Sequence, residues 1–326
     1  MSHERASSRV TSLLNAFGPF IGLAVVVGLL ALSPTVRPYL FTGANVKIVL
    51  LQTVIVAIGA LGMTMIIVSG GIDLSVGASV ALTSVLGATL LVKGYSPLTA
   101  ILLTIFAGAA IGLVNGTLIA TLRIVPFIVT LGMMGVARGV AKWIAREKTV
   151  NAPESIIDEI MRRISPNTLF PLPPGVWIAV GLAVLMAVVM RQTVFGRYVF
   201  AIGSSEATAR LCGIRVQLHK VIIYTVAGLL FGIAGLMQLS RLTQGDPTVA
   251  IGLELDIIAA VVIGGASLNG GTGSILGSMI GALIMAVLRN GTNQMGWPTY
   301  MQEIIIGAVI VLAVALDRLR QTASRQ

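Results

Sequence analysis

The sequence predicts an all-α polytopic membrane protein of about ten transmembrane helices, organised as one transmembrane domain over residues 1–326. Three observations predict this fold class: an apolar composition, long charge-free stretches, and a glycine-rich break that occurs twice between apolar runs. Of the 326 residues, 56% are hydrophobic and only 10% are charged, and the mean hydropathy is +0.96. Since a soluble domain has a charged share of roughly 25%, this composition excludes a soluble globular fold.

The charge-free stretches define the predicted helices, because a helix needs about 20 apolar residues to cross a bilayer. An even number of spans places both termini on one side of the membrane. Lys and Arg cluster near both termini and in residues 191–220, which assigns that side to the cytoplasm. The predicted spans lie near residues 17–33, 46–68, 73–92, 97–121, 125–145, 174–190, 220–240, 252–267, 271–290 and 300–317.

With this topology, residues 147–173 form an external loop, in which we expect a short helix near residues 153–164. The loop carries carboxylates and arginines and ends in several prolines. A polar landing surface for a partner and a plain solvated connection are both consistent with this composition.

The two predicted helix breaks lie near residues 70–75 and 264–271. Aligning residues 70–88 with residues 264–282 gives eight identities in nineteen positions. Two unrelated glycine-rich helices can also look alike. Transporters, however, use internal repeats with discontinuous helices to place a solute route near the centre of the membrane, because unwound backbone is tolerated there only beside protein or water. The repeat therefore favours a transporter over a structural membrane scaffold.

Several kinds of site are excluded by residues that the sequence lacks. Its one cysteine, Cys212, excludes an intrachain disulfide, and its two histidines, His3 and His219, lie far apart, so we predict no metal. There is no Gly-x-x-x-x-Gly-Lys-Ser/Thr motif, so no nucleotide cofactor is expected and any ATPase must be another chain. Loop topology and anionic lipid headgroups account for the net charge of +10 without a nucleic-acid partner.

The cytoplasmic segment over residues 191–220 is predicted to contain a two-turn helix from about residue 206 to residue 212. Ser204 or Ser205 can cap its first turn, and Gly213 can end it. Two small residues, Ala207 and Ala209, would leave a face on which the groove of a partner could close. From the residues alone, a solvated connection lying on lipid headgroups remains an equal alternative.

Four stretches of the chain resemble the permease subunits of bacterial ribose-type ABC importers, with matching order and spacing from about residue 40 to residue 318. They are GMTMIIVSGGIDLSVG at 62–77, PFIVTLG at 126–132, GRYVFAIGSSEATARLCGIRV at 196–216 and LELDIIAAVVIGGASLNGGTGS at 253–274.

This resemblance implies an assembly in the bacterial inner membrane. Two permeases, as a homodimer or with a close paralogue, form the pore, and two ATP-binding cassette ATPase subunits dock beneath it. A periplasmic solute-binding protein delivers a monosaccharide, ribose or a similar sugar. The permease itself is then not an enzyme, and ATP hydrolysis belongs to the partner subunits. The resemblance further implies that the cytoplasmic loop couples to the ATPase, with motif positions at Gly196, Arg197, Gly203, Ala207, Arg210, Gly213 and Ile214.

Five polar residues are candidates for the translocation pathway or a gate: Asp73, Ser75, Asn115, Glu254 and Asp256. A carboxylate such as Asp73 is costly between apolar runs unless it is paired or wetted, so it can cap the helix that begins near Ser75, line the passage, or lie in a plain loop. Asn115 can bond between helices or line the passage. Glu254 and Asp256, which begin span eight, can form an external gate or contact the binding protein. They can also simply interact favourably with the helix dipole.

Two alternatives to this function remain open. A proton-coupled secondary transporter would use Asp73, Glu254, Asp256 or Glu303 as proton carriers. The same ABC machinery could instead carry a nucleoside or another small polar cargo.

Overall fold

The computed structural model describes residues 2–162 and 172–323. Within these residues the protein is almost entirely α-helical, and its one sheet is a two-residue antiparallel pairing of β1 (Val150–Asn151) with β2 (Gln244–Gly245). The helices are α1 Ser2–Ala31, α2 Arg37–Leu40, α3 Gly43–Val68, α4 Val76–Val92, α5 Pro97–Leu122, α6 Pro126–Ala145, α7 Pro174–Gln192, α8 Val194–Ser204, α9 Glu206–Leu211, α10 Val216–Leu242, α11 Leu253–Ile263, α12 Ile275–Gln294 and α13 Thr299–Ala323.

Six of these helices, α3, α5, α6, α7, α10 and α12, are long and apolar enough to cross a membrane. Helix α4 and the 17–31 part of α1 are also apolar but shorter. The prediction of an all-α membrane protein is therefore confirmed, while the number of ten spans stays a prediction.

Helix α3 forms the centre of the molecule, because 19 of its 26 residues are buried inside the protein, against 4 of the 20 residues of α6. It packs against α10, α12, α11 and α7, and those helices shield it from lipid. The outer helices keep apolar side chains exposed, which is the arrangement expected where lipid is the solvent.

Helices α5 and α10 pack closely against each other through glycines on their facing surfaces. A Cβ built on Gly108 would lie 2.6 Å from the Cα of Gly232, and one built on Gly112 would lie 3.0 Å from the Cα of Gly228. In a bilayer, such small-residue ridges allow dispersion contact between backbones. This contact brings the polar residues of α5 and α10 next to the first helix break.

Both predicted helix breaks are present, between α3 and α4 and between α11 and α12. Span eight is shorter than predicted, because α11 ends at Ile263 and Gly264 follows it as the C-cap. The segment predicted to be cytoplasmic, residues 191–220, contains a helix that we did not predict, α8, whose N-cap Thr193 accepts the N–H of Gly196 at 3.2 Å.

The short helix expected near residues 153–164 is only a 3₁₀ turn, Asp158–Ile160. The Asp158 carboxylate accepts the N–H of Ser155 at 2.8 Å, which folds this stretch into a tight turn. Residues 163–171 of the predicted external loop lie outside the described residues.

Candidate functional site

The first helix break starts with a glycine turn that ends α3. Gly70 has φ +84°, the N–H of Gly70 donates to the Ile67 carbonyl and that of Gly71 to the Ile66 carbonyl, both at 2.9 Å. This is the Schellman arrangement, which needs a left-handed residue and therefore favours glycine. The chain then runs without helical structure to Ser75, the N-cap of α4.

Asp73 lies at the centre of a buried polar cluster within this break. Its Oδ1 accepts the Ser75 N–H at 2.7 Å and the Ser75 hydroxyl at 2.6 Å. From α5, the Asn115 side-chain amide reaches Asp73 Oδ2 at 3.4 Å and Ser75 Oγ at 3.1 Å. Since Asp73 is only 1% exposed and Asn115 and Ser75 are fully buried, these bonds replace the water lost by the carboxylate, the hydroxyl and the amide nitrogen. The Asn115 Oδ1 atom is buried without a hydrogen-bond partner among the described residues.

Asp73 does not bond the free amides in the first turn of α4, which a helix cap would do. Its carboxylate bonds the N–H two residues ahead, which is an Asx turn, and it thereby organises the approach to α4. Ser75 at the N-cap makes no side-chain cap bond itself. The structure thus brings three of the five pathway candidates, Asp73, Ser75 and Asn115, into one cluster.

Two further residues hold the walls of this cluster. Thr130 of α6 accepts the N–H of Leu74 at 3.1 Å, and so ties the break to α6. The Tyr224 hydroxyl of α10 lies so close to Gly71 that a Cβ at residue 71 would collide with it. A glycine at position 71 is therefore required by a close approach, because its φ is not in the left-handed region.

The second break, between α11 and α12, satisfies its backbone groups mainly by itself. Gly265 has φ +90°, and the N–H of Ala266 donates to Val261 at 3.1 Å. Further along, the N–H of Ser267 donates to the Thr272 carbonyl at 3.2 Å, and the N–H of Gly270 donates to the Ser267 carbonyl at 3.0 Å.

Glu254 lies against the start of α4. Its Oε1 accepts the Gly252 N–H at 3.2 Å, and a Cβ at Gly77 would collide with its Oε2. That Oε2 atom is buried without a hydrogen-bond partner among the described residues. The fourth pathway candidate therefore faces the helix that follows the first break.

Asp256 lies apart from the other candidates. It is 3% exposed, and its Oδ2 forms an ion pair with Arg289 of α12 at 2.5 Å. The pair joins α11 to α12 across the second break. A contact to an external binding protein needs an exposed group, whereas this carboxylate is turned into the helix packing.

The segment predicted to be cytoplasmic forms the predicted short helix, α9, and Ser205 caps it by accepting the Thr208 N–H at 3.2 Å. Glu206 in the first turn pairs with Arg210 at 2.6 Å and with Lys220 at 2.5 Å. Partial burial alone would raise the pKa of Glu206, but the bonds to Lys220 and Arg210 outweigh it and hold the pKa below its ordinary value. The carboxylate therefore stays ionised and fixes α9 to the start of α10.

The prediction that Ala207 and Ala209 both face the groove of a partner is partly wrong. Ala209 is 3% exposed and packs in an apolar cluster with Ile202 and Val216, so it faces the protein. Ala207 is exposed, as expected. The large apolar side chain on the outer surface is Leu211, which is 89% exposed.

The seven ATPase-coupling candidates divide between two surfaces. Gly196 and Gly203 approach other backbones of the same chain, and Ile214 packs against the Ile202 cluster. The solvent-facing members are Arg197, Ala207, Arg210 and Gly213.

A separate polar pocket of about 390 Å³ lies at the opposite end of α3, beside the predicted external loop. Its polar walls include Gln52 of α3, Arg241 of α10, and Glu154 and Asp158 of the loop.

Among the described residues, no group of three or more His, Cys, Asp or Glu side chains could hold a metal ion.

Comparison with known proteins places this geometry in a family. Residues 45–314 match the family described as branched-chain amino acid transport system / permease component. The chain belongs to that permease family. No solved structure matches it.

The permease is also similar over nearly its whole length to named sugar permeases. It is 40% identical to the ribose import permease protein of Escherichia coli (strain K12) over 300 residues, 92% of this chain and 93% of that one. It is 40% identical to the ribose import permease protein of Bacillus subtilis (strain 168), over 97% of this chain and 96% of the other. An L-arabinose ABC transporter permease protein of Azospirillum brasilense is 35% identical over 98% of this chain and 93% of its own. The resemblance expected from the four sequence stretches is therefore confirmed.

Sequence reasoning missed three residues that the permease structure brings to these sites: Thr130, Tyr224 and Arg289. Arg289 alone carried a usable signal, because a single arginine inside predicted span 271–290 needs a partner, and Asp256 is a nearby acid. Thr130 lies in the PFIVTLG stretch and Tyr224 in an apolar helix, and only the packing of α6 and α10 shows which groups they contact.

Proposed function

We propose that this chain is the permease subunit of an ABC importer that moves a monosaccharide, ribose or a similar sugar, across the bacterial inner membrane. The observation that carries the proposal is the 40% identity to ribose import permeases over at least 92% of the chain. Similarity to arabinose and fructose permeases supports a sugar as the class of cargo.

The proposed partners are a second permease copy or a close paralogue, two ATP-binding cassette ATPase subunits, and a periplasmic solute-binding protein. The docking element for the ATPase is α9 with the end of α8, because a short capped helix there presents Leu211 and Arg210 to the solvent. A helix of this kind suits a groove in a partner. Crosslinking from positions 204–215 should give ATPase adducts at residues 207, 210 and 211. The absence of an adduct at every one of these positions would contradict the docking proposal.

Asp73, Ser75 and Asn115 are proposed to face the sugar passage, with Glu254 nearby. They form the buried polar cluster between α3, α4 and α5, and polar side chains at an unwound stretch are typical of membrane pathways. Because a binding protein presents the sugar, only a few polar contacts are needed along the route.

The proposed membrane topology has ten spans in two repeated halves, each of which contains a break. Both termini lie in the cytoplasm. The single cysteine offers a direct test of it, since Cys212 is exposed and lies just after α9. A membrane-impermeant thiol reagent should label Cys212 in inverted vesicles and leave it unlabelled in spheroplasts. Labelling of Cys212 only in spheroplasts would show that the segment lies outside and would contradict the proposed topology.

Transport by the reconstituted complex tests the function itself. Proteoliposomes with the permease, its ATPase and its binding protein should accumulate labelled ribose or a related sugar only with ATP. The isolated permease should accumulate none. Accumulation by the isolated chain that collapses with the proton gradient would favour the proton-coupled alternative, and competition by nucleosides rather than sugars would change the cargo.

A further inference from the structure

The end of α8, in the cytoplasmic segment, lies directly against both helix breaks. The two breaks are themselves joined by a backbone hydrogen bond, in which the N–H of Gly271 donates to the Val68 carbonyl at 2.8 Å. Gly203, in the last turn of α8, packs over this bond. A Cβ built there would collide with the Val68 carbonyl oxygen and would lie 2.7 Å from the Gly271 nitrogen.

The same close approach is found from the side of the second break. A Cβ on Gly270 would lie 2.7 Å from the Gly203 carbonyl oxygen and 3.1 Å from the Cα of Gly70. A Cβ on Gly271 would lie 3.1 Å from the Cα of Ser204. Three backbones therefore meet at this point with no side chain between them.

We propose that this contact, the backbone junction of Val68, Gly70, Gly203, Gly270 and Gly271, is the route by which movement of the cytoplasmic segment reaches both helix breaks together. The proposal rests on the proposed function, since it assumes that an ATPase moves α9. Gly203 is a positioning residue in it, because it acts through the breaks and not by touching the sugar.

Two features make the junction suitable for this role. Side chains can change rotamer and absorb a displacement, whereas backbones in direct contact cannot, so close packing transmits movement. In addition, α8 and α9 are separated by Ser205 alone, and Ile202 of α8 packs with Ala209 of α9. The two short helices are thus held together between the solvent-facing Leu211 and the breaks.

The first test adds one methyl group at the junction. Gly203→Ala is compared with Gly181→Ala, which adds the same group in the middle of α7, where a Cβ would meet nothing within 4 Å. Overpacking at the junction should lower the amount of sugar moved per ATP hydrolysed by about tenfold or more. The Gly181→Ala complex should match the wild type. A Gly203→Ala complex as well coupled as the Gly181→Ala control would overturn the proposal.

The second test compares the reduced and oxidised states of one variant, so any effect of the added side chains is common to both states. In a Cys212→Ser background, Ser204→Cys and Gly271→Cys are combined, since a Cβ on Gly271 lies 3.3 Å from the Ser204 Cβ, near the spacing that a disulfide spans. If the junction moves as one body, the oxidised complex should transport as the reduced complex does. Loss of transport on oxidation, restored by reduction, would show that the contact must open and would overturn the proposal.

These outcomes separate the junction from the proposed function. Failure of the wild-type complex to take up sugar with ATP contradicts the proposed function. Wild-type uptake together with an unimpaired Gly203→Ala complex, or with a complex inactivated by the disulfide, contradicts the junction alone.

Discussion

The two helix breaks begin in the same way and end differently. Each follows a Schellman turn with a left-handed glycine, Gly70 at φ +84° and Gly265 at φ +90°. The first then has seven residues, 69–75, before α4 begins, whereas the second has eleven, 264–274, before α12 begins. The sequence offset that aligns their glycines therefore does not align their helices.

The difference in length goes with a difference in how polar groups are satisfied. The first break takes bonds from other helices, through Asn115 of α5 and Thr130 of α6. The second closes mostly on its own backbone, through bonds among residues 267–272, and its backbone bond to α3, from the Gly271 N–H to the Val68 carbonyl, involves no side chain. The comparison teaches that the first break depends on tertiary packing and is the more vulnerable to substitution of a side chain.

The largest effect is expected from Asp73→Ala. It removes the acceptor for the Ser75 N–H, the Ser75 hydroxyl and the Asn115 amide, all of which are buried. Each buried donor left without a partner costs about 1–3 kcal/mol. The midpoint temperature of thermal unfolding of the purified permease should therefore fall strongly. Asp73→Asn is the control, because it keeps an acceptor oxygen and should lose less. Equal melting of Asp73→Ala and wild type would mean that the cluster does not support the break.

Asn115→Leu should have the next largest effect. The substitution keeps the branched shape and the number of side-chain heavy atoms in α5 but removes the donor to Ser75 Oγ at 3.1 Å and to Asp73 at 3.4 Å. Loss of this link between α5 and the break should cost about 1–2 kcal/mol, read from denaturant or thermal unfolding. An unchanged midpoint would show that the first break holds without α5.

Thr130→Val tests the hydrogen bonds between α6 and the first break. The change conserves shape and removes both the acceptor for the Leu74 N–H and the hydroxyl that contacts the Ile72 carbonyl at 3.2 Å, so about 1 kcal/mol of stability should be lost. A matched control is available in Thr104→Val, because the buried Thr104 hydroxyl has no hydrogen-bond partner among the described residues. The control should be neutral or stabilising, and the reverse order would contradict the assignment of these bonds.

The smallest effect is expected in the second break, from Ser267→Ala. The Ser267 hydroxyl accepts the Asn269 N–H at 3.2 Å, while the backbone bonds of the turn do not depend on the side chain. The loss should stay below about 1 kcal/mol and below that of Thr130→Val. A larger loss for Ser267→Ala would reverse the comparison between the breaks.

Local features could be predicted where a single short stretch decides the conformation. Ser205, Glu206 and Gly213 specify the start and end of α9 within a few residues, since capping and a left-handed glycine act on the nearest turn. Helix α8 was missed because its residues were interpreted as loop. The outward face of α9 was misjudged at Ala209, because its burial depends on contact with Ile202.

The sequence by itself determined the membrane class, the family, the positions of both breaks and the cap of α9, because apolar length, glycine and capping residues act over a few neighbouring positions. Only the tertiary structure decided that Asp73 meets Asn115 and that Gly203 meets Gly70 and Gly271. Those groups are distant along the chain, and the close packing of glycine-lined helices, which no local pattern specifies, is what brings them together.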